Sequence, residues 1–284
     1  MIELTTIPDL KSWRRAQRSA GRRIGFVPTM GYLHEGHLAL VDEARRQADA
    51  VILSIFVNPL QFGPTEDLAR YPRDLPRDRA LASARGVDAL FVPTVAAMYP
   101  PGSEVRLSPG PIAERWEGAA RPGHFTGVLT VVAKLIHLVE PDLAYFGQKD
   151  VQQLTLVRRM VRDLDWPVEI VAVPTVREPD GLALSSRNAY LGAEDRRRAV
   201  VLSRALQAAH RAWRGGETRA AALEGMMRQE LGTEPAVAVE YISVADPEGL
   251  APVDSANERT VVAIAARIGG TRLIDNIKLG EGIR

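Results

Sequence analysis

Short apolar runs recur through the first 175 or so residues, at 24–27, 51–57, 89–92, 143–146 and 168–173, each bounded by Gly, Pro or Asp. Runs of that length and punctuation predict strands buried on both faces of a parallel sheet. Between them the pattern turns helical. Residues 36–48 and 73–85 are predicted helices. The stretch 126–139 puts Val128, Val131, Val132, Leu135 and Leu138 mostly on one face, and 151–164 repeats this with Leu154, Val157 and Val161. Strand–helix alternation predicts an α/β fold, a Rossmann-like doubly wound parallel sheet that binds ligands at the carboxyl ends of its strands.

After Pro174 the pattern changes. A loop at 176–188 precedes a long polar helix at 193–214, ended by the helix-stop signal Arg214-Gly215-Gly216. A second helix is predicted at 218–231 and strands at 237–244 and 260–266. Gly269-Gly270 then joins Ile268 to a strand at 271–274 as a tight hairpin. The prediction is two domains, a Rossmann-like one over 1–175 and a smaller α+β domain over 176–284 that serves as a lid. The Pro- and Gly-rich segment 93–123 reads as a surface loop or lid.

Composition adjusts this picture in a few places. A chain of 284 residues suits two domains, and 46% apolar with 25% charged residues fits an ordinary globular protein. No apolar run reaches the length of a membrane span, and the N-terminus lacks a signal-peptide pattern. A soluble cytoplasmic protein without a membrane partner is expected. A net charge of +1 gives no bulk pull toward nucleic acid, so none is expected as a partner. The runs Arg14-Arg15, Arg22-Arg23 and Arg196-Arg197-Arg198 read as solvated faces. Without cysteine, thiolate nucleophiles and zinc–thiolate sites are excluded. Only four of the 36 Lys and Arg residues are lysine, which draws attention to Lys149, where a compact ammonium replaces a planar fork.

Four polar clusters fall at predicted strand ends or just past them. The first is Met30-Gly31-Tyr32-Leu33-His34-Glu35-Gly36-His37, where a strand turns into a helix. Unpaired N–H groups at a helix start suit phosphate, and His34 and His37, three apart, share a face from which imidazoles donate to phosphate oxygens. Metal binding is an alternative, but zinc-protease spacing is four, and no Cys completes a site. Two ordinary histidines at a helix start are another. The second cluster, Asn58-Pro59-Leu60-Gln61-Phe62-Gly63, can hold a small polar substrate or form a decorated turn. The third is Phe146-Gly147-Gln148-Lys149-Asp150, with Gln153 one turn on. Lys149 supplies a point charge to phosphate, unless Lys149 and Asp150 are simply a surface pair. The fourth, Leu184-Ser185-Ser186-Arg187-Asn188, reads as a phosphate clamp on a mobile loop. Their convergence on strand ends carries more than any one alone.

With these strings, and with Arg121-Pro122-Gly123-His124-Phe125-Thr126-Gly127-Val128, the chain resembles the pantoate–β-alanine ligase family in order and spacing over nearly its whole length. Departures are minor. Leu184 stands where the family often has Met or Lys, and Gln148 where it often has Glu. The resemblance implies ATP and Mg2+, the substrates pantoate and β-alanine, a pantoyl adenylate intermediate with release of pyrophosphate and AMP, and a homodimer. It implies catalytic roles for His37, His34, Lys149, Ser185 and Arg187. ATP binding is implied for Met30, Gly31, Tyr32, Leu33, Glu35, Gly36, Gly147, Gln148, Asp150, Val176, Leu184 and Ser186 besides. Gln61 and Gln153 would hold pantoate, with Asn58 and Arg121 near the substrate. The resemblance assigns no magnesium ligands. Rival readings are a nucleotidyltransferase that forms no amide, a tRNA synthetase, for which no anticodon-binding domain is left, and a non-catalytic nucleotide-binding module.

Overall fold

The computed structural model describes residues 1–64 and 66–283. Nine strands and ten helices are found among them. In chain order these are β1 (Ile2–Leu4), α1 (Ile7–Ser19), β2 (Ile24–Thr29), α2 (Glu35–Gln47), β3 (Ala50–Ile55), α3 (Leu75–Ala84), β4 (Ala89–Phe91), α4 (Val95–Met98), α5 (Trp116–Ala120), α6 (His124–Val139), β5 (Leu143–Gly147), α7 (Val151–Asp163) and β6 (Glu169–Val173). Then follow α8 (Ala193–Arg198), α9 (Val201–Arg214), α10 (Ala220–Leu231), β7 (Val237–Ala245), β8 (Val261–Ile268) and β9 (Thr271–Lys278).

Residue contacts divide the chain into two compact units. The first is Met1–Gly147 with Gln152–Val173, and the second is Gln148–Val151 with Pro174 onward. The short segment Gln148–Val151 thus groups with the second unit although the chain on either side of it does not.

The first unit is built on a six-stranded, wholly parallel sheet in the order β1-β4-β3-β2-β5-β6. From β2 the chain winds outward through β3 and β4, then returns to the other side for β5 and β6. Strand order therefore reverses at β2 and β5, the place where such sheets bind ligands. Ile24, Phe26, Val51, Ile52, Leu53, Leu90 and Leu143 are 0–1% exposed, as burial on both faces requires. Each such side chain stabilises by about 1.5–3 kcal/mol relative to exposure. Helix α2 packs across β2, β3, β5 and β6, while α6 packs on β2 and carries α1.

Besides the short helices α4 and α5 inside 93–123, two elements were not predicted. Edge strand β1 has three residues, and α1 buries only Leu10 and Trp13. Its start is nevertheless marked by Thr6, whose side chain accepts the Asp9 N–H, and by Pro8 in the first turn. Arg14 on α1 corrects the solvated-face reading of its run. Its side chain is 15% exposed, donates to the Leu138 carbonyl and pairs with Glu140 at 2.7 Å. The segment 93–123 is packed rather than a free loop. Met98 is fully buried, and Gln152, 2% exposed, donates to the Ile112 and Arg115 carbonyls and accepts the Glu117 N–H.

In the second unit β7, β8 and β9 form an antiparallel sheet. The predicted single polar helix at 193–214 is two helices. The Leu202 N–H reaches back three residues to Ala199, and that tight turn separates α8 from α9. Nor is the second part polar all round. Val201, Leu202, Ala205, Leu206 and Ala209 form a buried stripe that joins Leu223, Met227 and Leu231 of α10 over the sheet. The last strand runs to Lys278, four residues beyond its predicted end.

Candidate active site

At the end of β2 the chain turns sharply into α2. Gly31 has φ +80° and Tyr32 φ +50°, both in the left-handed region. A Cβ on Gly31 would meet Ile55 Cγ2 at 2.9 Å and Asp78 Oδ2 at 3.0 Å, so glycine is required twice over. Asp78 of α3, 1% exposed, accepts the N–H groups of Tyr32 and Leu33, each at 2.7 Å. The neighbouring Arg77 donates to the Leu33 carbonyl and lies over the Tyr32 ring.

His34 and His37 then form a capping box from two imidazoles. His34 Nδ1 accepts the Gly36 N–H at 3.1 Å, and His37 Nδ1 accepts the His34 N–H at 3.3 Å. The rings stand 4.0 Å apart and are half-buried. With both Nδ1 atoms accepting, each neutral ring carries its proton on Nε2. Leu33 is wholly buried, so that position can offer a ligand only its backbone, while the exposed Glu35 pairs with Arg85.

Beyond β3, a short 3-10 turn, Pro59–Gln61, carries Gln61. Gln61 Nε2 donates to the Met30 sulfur at 3.1 Å, which joins this turn to the one after β2. Asn58, 1% exposed, donates to Gln61 Oε1 and the Gly127 carbonyl, and accepts from the Leu60 N–H and the Tyr99 hydroxyl. Both donors and both lone pairs are thereby in use. Asn58, expected near the substrate, thus sits against Gln61. It holds Gln61.

Arg121, also expected near the substrate, lies against the same turn. Its guanidinium binds both Glu66 oxygens, contacts His124 Nε2 at 3.0 Å and donates to the Gln61 carbonyl. The same carbonyl meets His124 Nδ1 at 2.8 Å. An arginine can only donate, so His124 Nε2 accepts and the imidazole proton sits on Nδ1. Burial, then the Arg121 charge, push the His124 imidazole down to about 4. Burial would raise the Glu66 carboxyl, but the hydrogen bond and charge of Arg121, with His124 and the Gly63 backbone, together outweigh it and hold that group below its usual range. Behind the turn, a Cβ on Gly127 would lie 2.1 Å from the Leu60 carbonyl oxygen, so only glycine lets α6 approach. Gln153 on α7 is half-buried in this unit.

Of the remaining predicted residues, Gly147 ends β5 in the first unit and the others belong to the second. Lys149 is half-buried and Asp150 exposed in the 3-10 turn Gln148–Asp150, which follows the half-buried Gly147. The Leu184 N–H bonds the Val176 carbonyl at 3.0 Å and closes the loop between them. Ser185 caps the turn Ser186–Tyr190 by accepting the Arg187 N–H at 3.3 Å. Ser186 is buried, and Arg187 half-buried. Arg196, from one run read as solvated, pairs instead with Glu178 and Asp180.

Sequence reasoning missed Asp78, His124 and Gln152. His124 stood inside a quoted string. The other two are polar residues on apolar helix faces, the one signal that could have found them.

A family model described as pantoate-beta-alanine ligase matches residues 3–278. A pantothenate synthetase of Roseiflexus castenholzii is 55% identical over 276 residues, 97% of this chain and 98% of that protein. One from Moorella thermoacetica is 52% identical over 276 residues, again 97% and 98%. Among solved structures, pantothenate synthetase from Thermus thermophilus has a TM-score of 0.94 at 51% identity, covering 98% of this chain and 99% of that one. Pantoate-beta-alanine ligase from Francisella tularensis, complexed with beta-gamma ATP and beta-alanine, has 0.83 at 35% identity, with both chains fully covered.

Proposed function

Because the chain belongs to the pantoate–β-alanine ligase family, we propose that it joins pantoate to β-alanine in two half-reactions, with the polar clusters described above in the roles that follow. A pantoate carboxylate oxygen bonds to the α-phosphorus of ATP as the bond to pyrophosphate breaks. The β-alanine nitrogen then bonds to the acyl carbon of pantoyl adenylate, AMP leaves, and the nitrogen loses a proton. The enzyme supplies alignment and charge stabilisation and no covalent nucleophile.

The observation that carries this reading is the bond from Gln61 to the Met30 sulfur. It sets a pantoate-binding amide beside the phosphate-binding turn, at the carboxyl ends of adjacent strands. A thioether is a weak acceptor, so Gln61 exchanges it for a substrate oxygen at little cost. Gln61 and Gln153 hold pantoate. The N–H groups at the start of α2 and the Nε2–H groups of His34 and His37 donate to phosphate oxygens as charge develops there. Met30 to His37 as a whole bind ATP. Gly147 at the end of β5, and in the second unit Gln148, Lys149, Asp150, Val176 and Leu184 to Arg187, bind ATP, with Lys149, Ser185 and Arg187 contributing to catalysis.

Magnesium enters with ATP. Among the described residues no three His, Asp or Glu side chains cluster, and an ion held mainly by phosphate oxygens needs at most one or two carboxylates. A homodimer and a cytoplasmic location complete the reading. Among the described residues no helix is long and apolar enough to cross a membrane. The test is exchange of label between pyrophosphate and ATP with pantoate present and β-alanine absent, followed by pantothenate and stoichiometric AMP once β-alanine is added. Exchange that does not depend on pantoate would overturn it.

A further inference from the structure

The strand β9 carries two polar residues in an apolar run, Leu273-Ile274-Asp275-Asn276-Ile277. Alternation places Leu273, Asp275 and Ile277 on one face and Ile274, Asn276 and Lys278 on the other. Leu273 and Ile277 enter the core of the second unit. Asp275 and Asn276, on opposite faces, are 3% and 7% exposed. A carboxylate and an amide so deeply buried need full sets of partners.

Asp275 has Arg177. Nη1 and Nη2 reach its two oxygens at 2.6 and 2.9 Å, and the paired side chains are 5% and 2% exposed. Arg177 also donates to the Gly181 and Asn276 carbonyls and forms a β-bridge with Ala183. This fixes both arms of the loop that begins at Val176 and returns to Leu184. Asn276 points its amide elsewhere. Its N–H groups go to the Gln148 carbonyl at 3.0 Å and the Lys149 carbonyl at 2.7 Å. Two carbonyls require two donors, so the orientation of the amide is determined. These bonds account for the grouping of Gln148–Val151 with the second unit.

We propose that Asp275 and Asn276 are the bracket on which both ATP-binding segments of the second unit are mounted, with Asn276 the positioning residue for Lys149. The proposal rests on the assignment of Lys149 to ATP made above. A lysine ammonium is a point charge on a flexible stem, and its value to a phosphate depends on where the stem begins. A three-residue 3-10 turn holds itself weakly. Asn276 grips the carbonyl of Lys149 itself and so sets that origin. A displacement of about 1 Å at a reacting phosphate costs on the order of 10²-fold in rate.

The test is a double-mutant cycle of Lys149→Ala and Asn276→Asp, read as kcat/KM for ATP in the pantoate-dependent exchange reaction. Asn276→Asp keeps the shape but faces two carbonyls with a carboxylate. It is expected to lower kcat/KM for ATP by about 10-fold or more while KM for pantoate changes less than about threefold. In the Lys149→Ala background the same change is expected to cost less than about twofold, because both substitutions remove one interaction. Effects that multiply would reduce Asn276 to a structural residue and overturn the proposal. Full activity in Asn276→Asp, with a large loss in Lys149→Ala, would overturn it and leave the Lys149 assignment standing. Full activity in Lys149→Ala would sink that assignment. If Asn276→Asp lacks the circular dichroism of the folded protein, Asn276→Ala, which removes the donors without adding charge, carries the same expectations.

Discussion

His37 Nδ1 accepts the backbone N–H of His34, so each histidine of the proposed phosphate site is also part of the cap that starts α2. Structural and chemical duties fall on different nitrogens of the ring. His37→Asn keeps an acceptor near the Nδ1 position and loses Nε2. Its unfolding free energy in urea should stay within about 1 kcal/mol of the parent, the usual scale of a cap. Its kcat should fall by roughly 10²-fold or more, as for a lost transition-state donor. His37→Ala should lose both. A His37→Asn enzyme with parental kcat would remove Nε2 from the mechanism.

Asp78 makes a corresponding prediction for the turn before that cap. Asp78→Asn turns an NH2 group toward one of the two N–H groups it now accepts. The buried mismatch should destabilise by about 1–3 kcal/mol in chemical denaturation. KM for ATP should rise with it, because the left-handed pair Gly31–Tyr32 that aims α2 relaxes. A destabilised variant with unchanged KM for ATP would confine Asp78 to folding.

Gly127→Ala tests the support behind Gln61. The added methyl cannot coexist with the Leu60 carbonyl, so α6 or the Pro59–Gln61 turn must move. Overpacking of this kind costs about 1–3 kcal/mol. Steady-state kinetics should show KM for pantoate raised by about 10-fold or more, with KM for ATP less affected. Equal rises in both would mean that the turn does not serve pantoate selectively.

The His124 shift gives a pH dependence of stability. Its folded value of about 4 lies below the ordinary 6.5, so between those values the unfolded chain binds a proton that the folded one does not. The stabilisation is complete above about pH 6.5 and falls as pH drops toward 4, by at most on the order of 3 kcal/mol. The depressed Glu66 carboxyl acts in the same direction at lower pH. Urea titrations at several pH values should show this slope in the parent and a shallower one in His124→Gln. Identical slopes would mean that His124 is not held neutral.

The interior strands and the four clusters were legible because burial on both faces and strand-end polar groups leave marks within a few residues. Strand β1 and helix α1 left little trace, since three residues at a sheet edge and two buried side chains in a helix barely alter the hydrophobic pattern. Asn58 and Arg121 stood out in the sequence, but their bonds to Gln61 did not. Their partners Tyr99, Gly127 and Glu66 are distant in sequence, and nothing local reveals that a side chain's hydrogen bonds are already spent. The packing of 93–123 was hidden for the same reason, because Gln152, its anchor, lies on another helix. Asp275 and Asn276 did leave a mark, two polar residues inside an apolar strand.

The placement of that pair late in the chain bears on synthesis. Lys149 emerges from the ribosome well before the residue that holds its carbonyl. A nascent chain that has made the parallel sheet already carries His34, His37 and Gln61, and domains fold as units in order of emergence. Until β9 is made, the two segments of the second unit proposed to bind ATP lack the bonds to Asp275 and Asn276. On that proposal incomplete chains are poor consumers of ATP, and adenylate formation waits for one of the last strands translated.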